Sequence, residues 1–302
     1  MFRPLSLLLL VAALAGCQSI TRPADYDSSL VSVRCMLFAG KKPFDPDNLR
    51  YIERFADYGN ASCKAWLGKL YQEGGHGVDQ DFNQARALFV ESARVNPSSN
   101  ILLGQMAERG EGEPVDYAKA REFYRLSGSN AVLPLGRLME EGKGGPKDPK
   151  GAMALYLASS ERYHDNPWEA MIRLHNQGLA FDEAQAKRYQ QLWLAGFVRE
   201  QNRRMAVREV FDAVNASGAA RGVRLSYRFK ADSGTPQVTL VTSSGDGNVD
   251  SWVMKAAARI SMGDSPPQTD ASGVQEVVAP LMFSPQDTAR MQSICGRKPC
   301  TQ

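Results

Sequence analysis

The chain has 302 residues, is 43% hydrophobic and 23% charged, and carries a formal net charge of +3. That length permits one large or two ordinary domains with packed cores. Basic and acidic residues are interleaved throughout, which argues against a nucleic-acid footprint, and only the first residues are apolar enough to suggest membrane insertion.

Arg3 opens a positive segment, and Leu5 to Leu14 forms an apolar stretch too short for a permanent bilayer helix. Small residues then lead to a cysteine in Leu14-Ala15-Gly16-Cys17. This is the layout of a secretory signal peptide, and its cysteine resembles the lipobox of bacterial lipoproteins. The resemblance implies cleavage before Cys17, with acyl chains, palmitate among them, on its sulfur and its new amino terminus. Several buried acyl chains, at about 0.8 kcal/mol per methylene, anchor a soluble domain stably. An aspartate after the lipidated cysteine favours retention in the inner membrane. Gln18 therefore implies an outer-membrane anchor with the protein facing the periplasm. Residues 1–16 are then the signal peptide and 17–29 a flexible tether.

Residues 30–60 read as an N-terminal helical cap. Asp45-Pro46-Asp47 starts a helix there, and Gly59 ends it. Cysteines in an oxidising compartment are expected to pair. With Cys17 carrying lipid, Cys35, Cys63, Cys295 and Cys300 remain, and three pairings are open to them. The expected pairs are Cys35–Cys63, flanking one helical segment, and Cys295–Cys300, closing a short C-terminal loop. A zinc site is the competing reading, and it lacks a second close-spaced Cys/His pair.

The middle of the chain repeats itself. Leu67-Gly68-Lys69-Leu70-Tyr71-Gln72-Glu73-Gly74 returns as Leu103-Gly104-Gln105-Met106-Ala107-Glu108-Arg109-Gly110 and as Leu135-Gly136-Arg137-Leu138-Met139-Glu140-Glu141-Gly142. Met171 to Gly178 is a decayed fourth copy with Ile172 at the position of the internal glycine. Each copy is followed by a second helical pattern opening at Asp81, Asp116, Asp148 or Asp182. Gly74, Gly110 and Gly142 are placed to end the first helix of each pair. Gly68, Gly104 and Gly136 fall inside helices, where the usual reason for glycine is close approach of a neighbour. Hairpins of this size bury their apolar faces by stacking, which makes a solenoid. The pattern from Ala65 to Asp81 resembles the Sel-one-like repeat (SLR), a relative of the tetratricopeptide repeat. The resemblance covers about residues 61–196, within a repeat domain expected over 61–200, and Pro134 and Gly145-Pro146 depart from it in the third copy. Trp66, Phe89, Tyr124, Tyr156 and Trp193 fall at expected core positions.

Composition changes after Asn215. Val223 to Phe229 alternates as a strand, Asp232-Ser233-Gly234 is a turn, and Gln237 to Thr242 is a second strand. Ser243-Ser244-Gly245 leads into a helix with Val249, Val253, Ala256, Ala257 and Ile260 at helical spacing. Pro266-Pro267 stops it, and Gln275 to Phe283 forms a third strand. This order resembles the C-terminal domain of TonB proteins, so residues 201–302 are expected to be a small α+β domain, opened by a helix from about Arg203 to Ala216. TonB itself is held in the inner membrane by an uncleaved helix, which this chain would lose. An exposed sheet edge at Val238, Thr239, Leu240, Val241 and Thr242 is the candidate for strand addition by a partner.

No recognisable nucleophile motif surrounds His76, His164 or His175, and no phosphate-binding glycine loop is present. Asp246-Gly-Asn-Val-Asp250 begins like a calcium loop but has Ser251 and Ala257 at its sixth and twelfth positions, so it reads as a turn and helix cap. Arg203-Arg204 and Lys187-Arg188 read as solvated helix faces. The expected protein is an α-helical solenoid of SLR/TPR-like hairpins followed by a TonB-C-like α+β domain. Its expected role is that of a non-enzymatic envelope scaffold or adaptor, with no cofactor, metal or nucleic acid, envelope proteins as partners and a lipid anchor to the membrane. Two alternatives stay open: an accessory module of a TonB-dependent uptake system, and a peptidoglycan-associated enzyme.

Overall fold

Short polar side chains start most of the helices, because a carboxylate or amide at the N-cap takes up backbone N–H groups that the first turn leaves unpaired. The structure, a computed structural model, describes residues 23–218, 221–231 and 233–283. The chain divides into two compact units, one up to Asn130 and one from Ala131 on.

The first unit holds α1 (Ser29–Gly40), α2 (Pro46–Asp57), α3 (Ala61–Glu73), α4 (Phe82–Val95), α5 (Asn100–Arg109) and α6 (Tyr117–Leu126). Asp45, Asn60, Asp81 and Asp116 are the N-caps of α2, α3, α4 and α6. The aspartate that recurs in each repeat is therefore a capping residue. α3 with α4 and α5 with α6 form hairpins that stack side by side, as in a helical solenoid. The internal glycines set how closely the helices of a hairpin approach. A Cβ on Gly68 would stand 2.6 Å from the Phe89 ring, and one on Gly104 would stand 2.5 Å from the Tyr124 ring. Gly110 ends α5 in the left-handed region at φ 71°, where glycine meets no Cβ penalty. Ahead of the repeats, Val31, Cys35, Ile52, Ala56, Cys63, Leu67 and Leu70 make one core from α1, α2 and α3. A disulfide joins Cys35 to Cys63, 28 residues apart. Closing a loop of that length is worth about 3.5 kcal/mol in the chain-entropy account.

The second unit holds α7 (Val132–Glu141), α8 (Pro149–Ser159), α9 (Asn166–Asn176), α10 (Glu183–Met205), α11 (Arg208–Ser217), β1 (Arg221–Lys230), β2 (Gln237–Thr242), α12 (Gly247–Ala257) and β3 (Val274–Phe283). Gly136 receives the Tyr156 ring as Gly104 receives that of Tyr124. Pro134 is accommodated because the first turn of α7 needs no N–H from it. The fourth hairpin is built differently. With Ile172 in place of glycine, α9 and α10 meet through large rings, Trp168 stacking on Tyr189 at 4.8 Å.

The three strands form an antiparallel sheet in the order β2-β1-β3. Period-two alternation along β1 buries Val223, Leu225, Tyr227 and Phe229, and Arg224 and Arg228 point outward into exposed positions. Phe229 meets Trp193 edge-on at 4.9 Å and Tyr227 meets Phe197 at 4.9 Å. One hydrophobic core thus runs from Val132 in α7 to Phe283 in β3. The helix expected from Arg203 to Ala216 is divided between two elements. α10 continues through Arg203 and Arg204 to Met205, and α11 starts after an extended Val207. No glycine or proline separates the segments, so the sequence carries no local signal for the break. Val207 instead packs on the core of the unit.

Candidate interaction surfaces

In the first unit the two helices of a hairpin differ in exposure. α3 and α5 are mostly buried or half-buried, whereas α4 and α6 leave many side chains in solvent. On α3, Ser62, Trp66, Lys69 and Glu73 follow one another at i, i+3 and i+4 spacing, so they share a face. Trp66 is half-buried, and the Lys69 ammonium sits 4.4 Å from the centre of its ring. The other aromatics expected in the core, Phe89, Tyr124, Tyr156 and Trp193, are fully buried. Trp66 therefore combines a large apolar surface with access to solvent, the combination found at binding hot spots. Polar contacts close each of the first two repeats and tie one to the other. Ser92 donates to the Ala61 carbonyl at 2.7 Å, Arg86 to the Glu111 carbonyl at 2.9 Å, and Ser127 to the Ser98 carbonyl at 3.0 Å. Tyr124 donates to Glu108 at 2.7 Å across its own hairpin.

In the second unit, the segment after α12 is strapped onto the aromatic face of α9 and α10. Trp193 Nε1 donates to the Ser265 carbonyl at 2.8 Å and the Tyr189 hydroxyl to the Pro266 carbonyl at 2.5 Å. The Tyr163 hydroxyl donates to the Met262 carbonyl, and the Gln268 N–H donates to Gln190 at 3.1 Å. Gly196 is where the Tyr163 ring crosses α10, and Gly234 is where the β1–β2 turn meets the Gly263 backbone; a Cβ at either would clash. The turn's Asp232 lies outside the described residues. On the strand side, Gln201 donates to the Tyr227 hydroxyl at 3.3 Å.

Burial pushes Tyr227 up to about 12, against a smaller lowering by the Gln201 hydrogen bond. Burial likewise raises Tyr163 and Tyr189 above the ordinary tyrosine value. The unfolded chain releases these protons near pH 10, and the folded chain holds them to higher pH. Their contribution is therefore complete below about pH 10 and is lost as pH rises toward 12. Melting curves between pH 9 and 12 should show the second unit losing stability above about pH 10, with the tyrosinate absorbance of Tyr163, Tyr189 and Tyr227 appearing only as it unfolds. Ionisation of Tyr163, Tyr189 and Tyr227 near pH 10 with tertiary structure intact would contradict this.

The residues Val238 to Thr242 lie on β2, an outer strand that pairs with β1 alone among the described residues. All but Val238 are exposed, and Val241 shows 52% of its surface. β3 is the other outer strand, with Val278 and Met282 exposed. Asp246 caps α12 by accepting from Asn248 and Val249 N–H, and Asp250 accepts from Ser243 and Ser244, which accounts for the Ser-Ser-Gly step as a turn. Cys17, Cys295 and Cys300 lie outside the described residues.

The histidines are taken up by packing contacts. His76 lies against Phe44, His164 pairs with Glu169, and His175 stacks on Phe181 at 4.2 Å and bonds to the Leu179 carbonyl at 2.9 Å. Arg203 and Arg204 both pair with Glu200 on the surface of α10. Among the described residues no group of three or more His, Cys, Asp or Glu side chains could hold a metal ion.

Capped helix pairs, closed by an aromatic ring lying on a glycine and stacked on their neighbours, define a helical-hairpin repeat protein. The repeats are Sel1 repeats: that family matches residues 61–95, 97–132 and 135–164. Among solved structures, the chain is similar to a Sel1 repeat protein from Oxalobacter formigenes, at 18% identity over 64% of this chain and 82% of that one, with a TM-score of 0.43. It is also similar to c5321, a protective antigen present in uropathogenic Escherichia coli strains and displaying an SLR fold. There the identity is 19% over 75% of this chain and 45% of that one, with a TM-score of 0.44, so this chain spans under half of the antigen's length. No curated protein matches the chain. Sel1-repeat proteins bind other proteins and generally act as interaction scaffolds, and the fold is typically non-catalytic.

Proposed function

We propose that the chain is a lipid-anchored scaffold of the bacterial envelope, held at the outer membrane through Cys17, facing the periplasm and binding a protein partner through its repeats. The carrying observation is the stripe on α3, where half-buried Trp66 lies under the Lys69 ammonium on a stack of Sel1 hairpins. The apolar run ending at Cys17 supports the anchor, and the Cys35–Cys63 disulfide is consistent with an oxidising compartment. The order of strands, helix and Pro266-Pro267 supports a TonB-like origin for the segment from residue 201 on, packed against the last hairpin.

Truncating a hot-spot tryptophan weakens binding by 2 kcal/mol or more, about 30-fold. Trp66→Ala should therefore reduce recovery of the partner from solubilised envelopes by at least that factor, measured well below its melting temperature because Trp66 also packs on the α1–α3 core and its loss lowers stability. Cys17→Ser should release the protein from the membrane fraction, and the parent's N-terminal peptide should carry acyl chains by mass. An unmodified Cys17 would remove the anchor, and undiminished capture by the Trp66 variant would remove the repeat face as the binding surface. A second reading, strand addition to β2 by a segment of a TonB-dependent uptake system, is favoured by the exposed outer position of Thr239 to Thr242.

A further inference from the structure

The helix that follows the tether, α1, is apolar on two sides. Val31 and Cys35 are buried against α2 and α3. Leu30, Val33 and Leu37, at i, i+3 and i+7, form a second face, with Leu30 and Leu37 each 58% exposed and Met36 exposed at its flank. A surface helix normally turns polar residues outward. Here the exposed polar side chains near the apolar face are chiefly basic: Arg34 within it, and Lys41 and Lys42 just past its end. The acids Asp25 and Asp27 lie ahead of the helix, not on it. Asn60 donates to the Tyr26 carbonyl at 3.0 Å and so fixes where the chain enters the unit. Between Cys17 and Tyr26 the chain reaches at most ~32 Å.

We propose that α1 lies on the phospholipid surface, with Leu30, Val33 and Leu37 among the upper acyl chains and Arg34, Lys41 and Lys42 at the headgroup phosphates. Leucine and valine on one face with basic residues beside them are the chemistry of an interfacial helix. The proximity of α1 to the bilayer rests on the anchor proposed above, and the apolar face and its flanking bases are independent of it.

The test uses the full-length protein in vesicles of phosphatidylethanolamine and phosphatidylglycerol containing a trace of phospholipid with a photoreactive acyl chain. After irradiation, labelled peptides are identified by mass. Label on Leu30 to Leu37 should exceed that on Val95 and Leu126, two exposed apolar residues of the same unit, by about tenfold. Leu30→Gln with Val33→Gln and Leu37→Gln should reduce the label to the control level. Because that variant alters a helix with one face in the core, Arg34→Glu with Lys41→Glu and Lys42→Glu serves as a second, surface-only variant and should reduce it several-fold. Label on α1 no higher than the controls overturns the inference, whether residues 1–22 or another protein covers that face in place of lipid. The mass of the Cys17 peptide separates the two claims. An acylated Cys17 with unlabelled α1 rejects the inference alone, and an unmodified Cys17 with labelled α1 rejects the anchor and supports the inference.

Discussion

Gly104→Leu is expected to cost the first unit about 3 kcal/mol or more, and even Gly104→Ala should be destabilising. Alanine normally stabilises a helix by about 1 kcal/mol over glycine, so the sign alone is informative. The Cβ would enter to within 2.5 Å of the Tyr124 ring, which is fully buried and bonded through its hydroxyl to Glu108 at 2.7 Å. The ring cannot move away without giving up that bond and its core contacts, and overpacking of this kind costs about 1–3 kcal/mol. The cost of Gly104→Ala should shrink when Tyr124 is also changed to Leu, a coupling of about 1 kcal/mol or more. Gly40, with open space around the position of a Cβ, is the control, and Gly40→Ala should change stability by less than about 0.5 kcal/mol. Urea unfolding of the five variants, Tyr124→Leu alone included, checks these values. A neutral or stabilising Gly104→Ala would show that the ring does not hold the hairpin together.

The second large effect concerns the C-terminal sheet. A fragment comprising residues 203–302 is expected to lack a cooperative unfolding transition, although the sequence from Val223 to Phe283 reads as a small domain of its own. Val223, Tyr227 and Phe229 are buried in a core that continues into α10, with Phe229 on Trp193 and Tyr227 on Phe197. The segment from Met262 to Gln268 is bonded to Tyr163, Tyr189, Gln190 and Trp193. Removing α7 to α10 would expose these rings and leave the strap without donors. In the intact protein, Trp193→Ala should cost about 3–5 kcal/mol and lower the melting of the sheet and of the fourth hairpin together. A well-dispersed NMR spectrum from the fragment, or separate melting of sheet and hairpin in the parent, would contradict this. A shared core also bears on strand addition, because a partner entering at β2 would meet a sheet already packed against the fourth hairpin, not a free domain.

Much of this was legible in local sequence. The aspartates at 81, 116, 148 and 182 announce helix starts, and the glycines at 74, 110 and 142 their ends. The alternation in Val223 to Phe229 gives both the strand and its buried face. The internal glycines indicated a close approach without naming the neighbour. That neighbour is an aromatic ring about 20 residues on in each of the first three repeats. The strap was not legible, because its bonds join Tyr163 to Met262 and Trp193 to Ser265 across long sequence separations, and no local pattern marks a tyrosine whose partner is a distant carbonyl. Nor does the repeat period reveal that the core divides after Asn130, since successive repeats look alike on both sides of that point. The outward face of α1 was hidden by its composition. The segment is apolar along most of its length, so nothing local in the sequence separates the exposed Leu30, Val33 and Leu37 from the buried Val31 and Cys35.

The central claim, that the repeats carry the binding surface, is tested most directly by photo-crosslinking in living cells. A photoreactive amino acid is placed singly at Lys69 on α3, at Thr239 on β2 and at Val95 on the exposed side of α4. Capture of one envelope protein from Lys69, abolished by Trp66→Ala and absent from Val95, is the predicted result. Capture from Thr239 alone, or equal capture from all three positions, would contradict it.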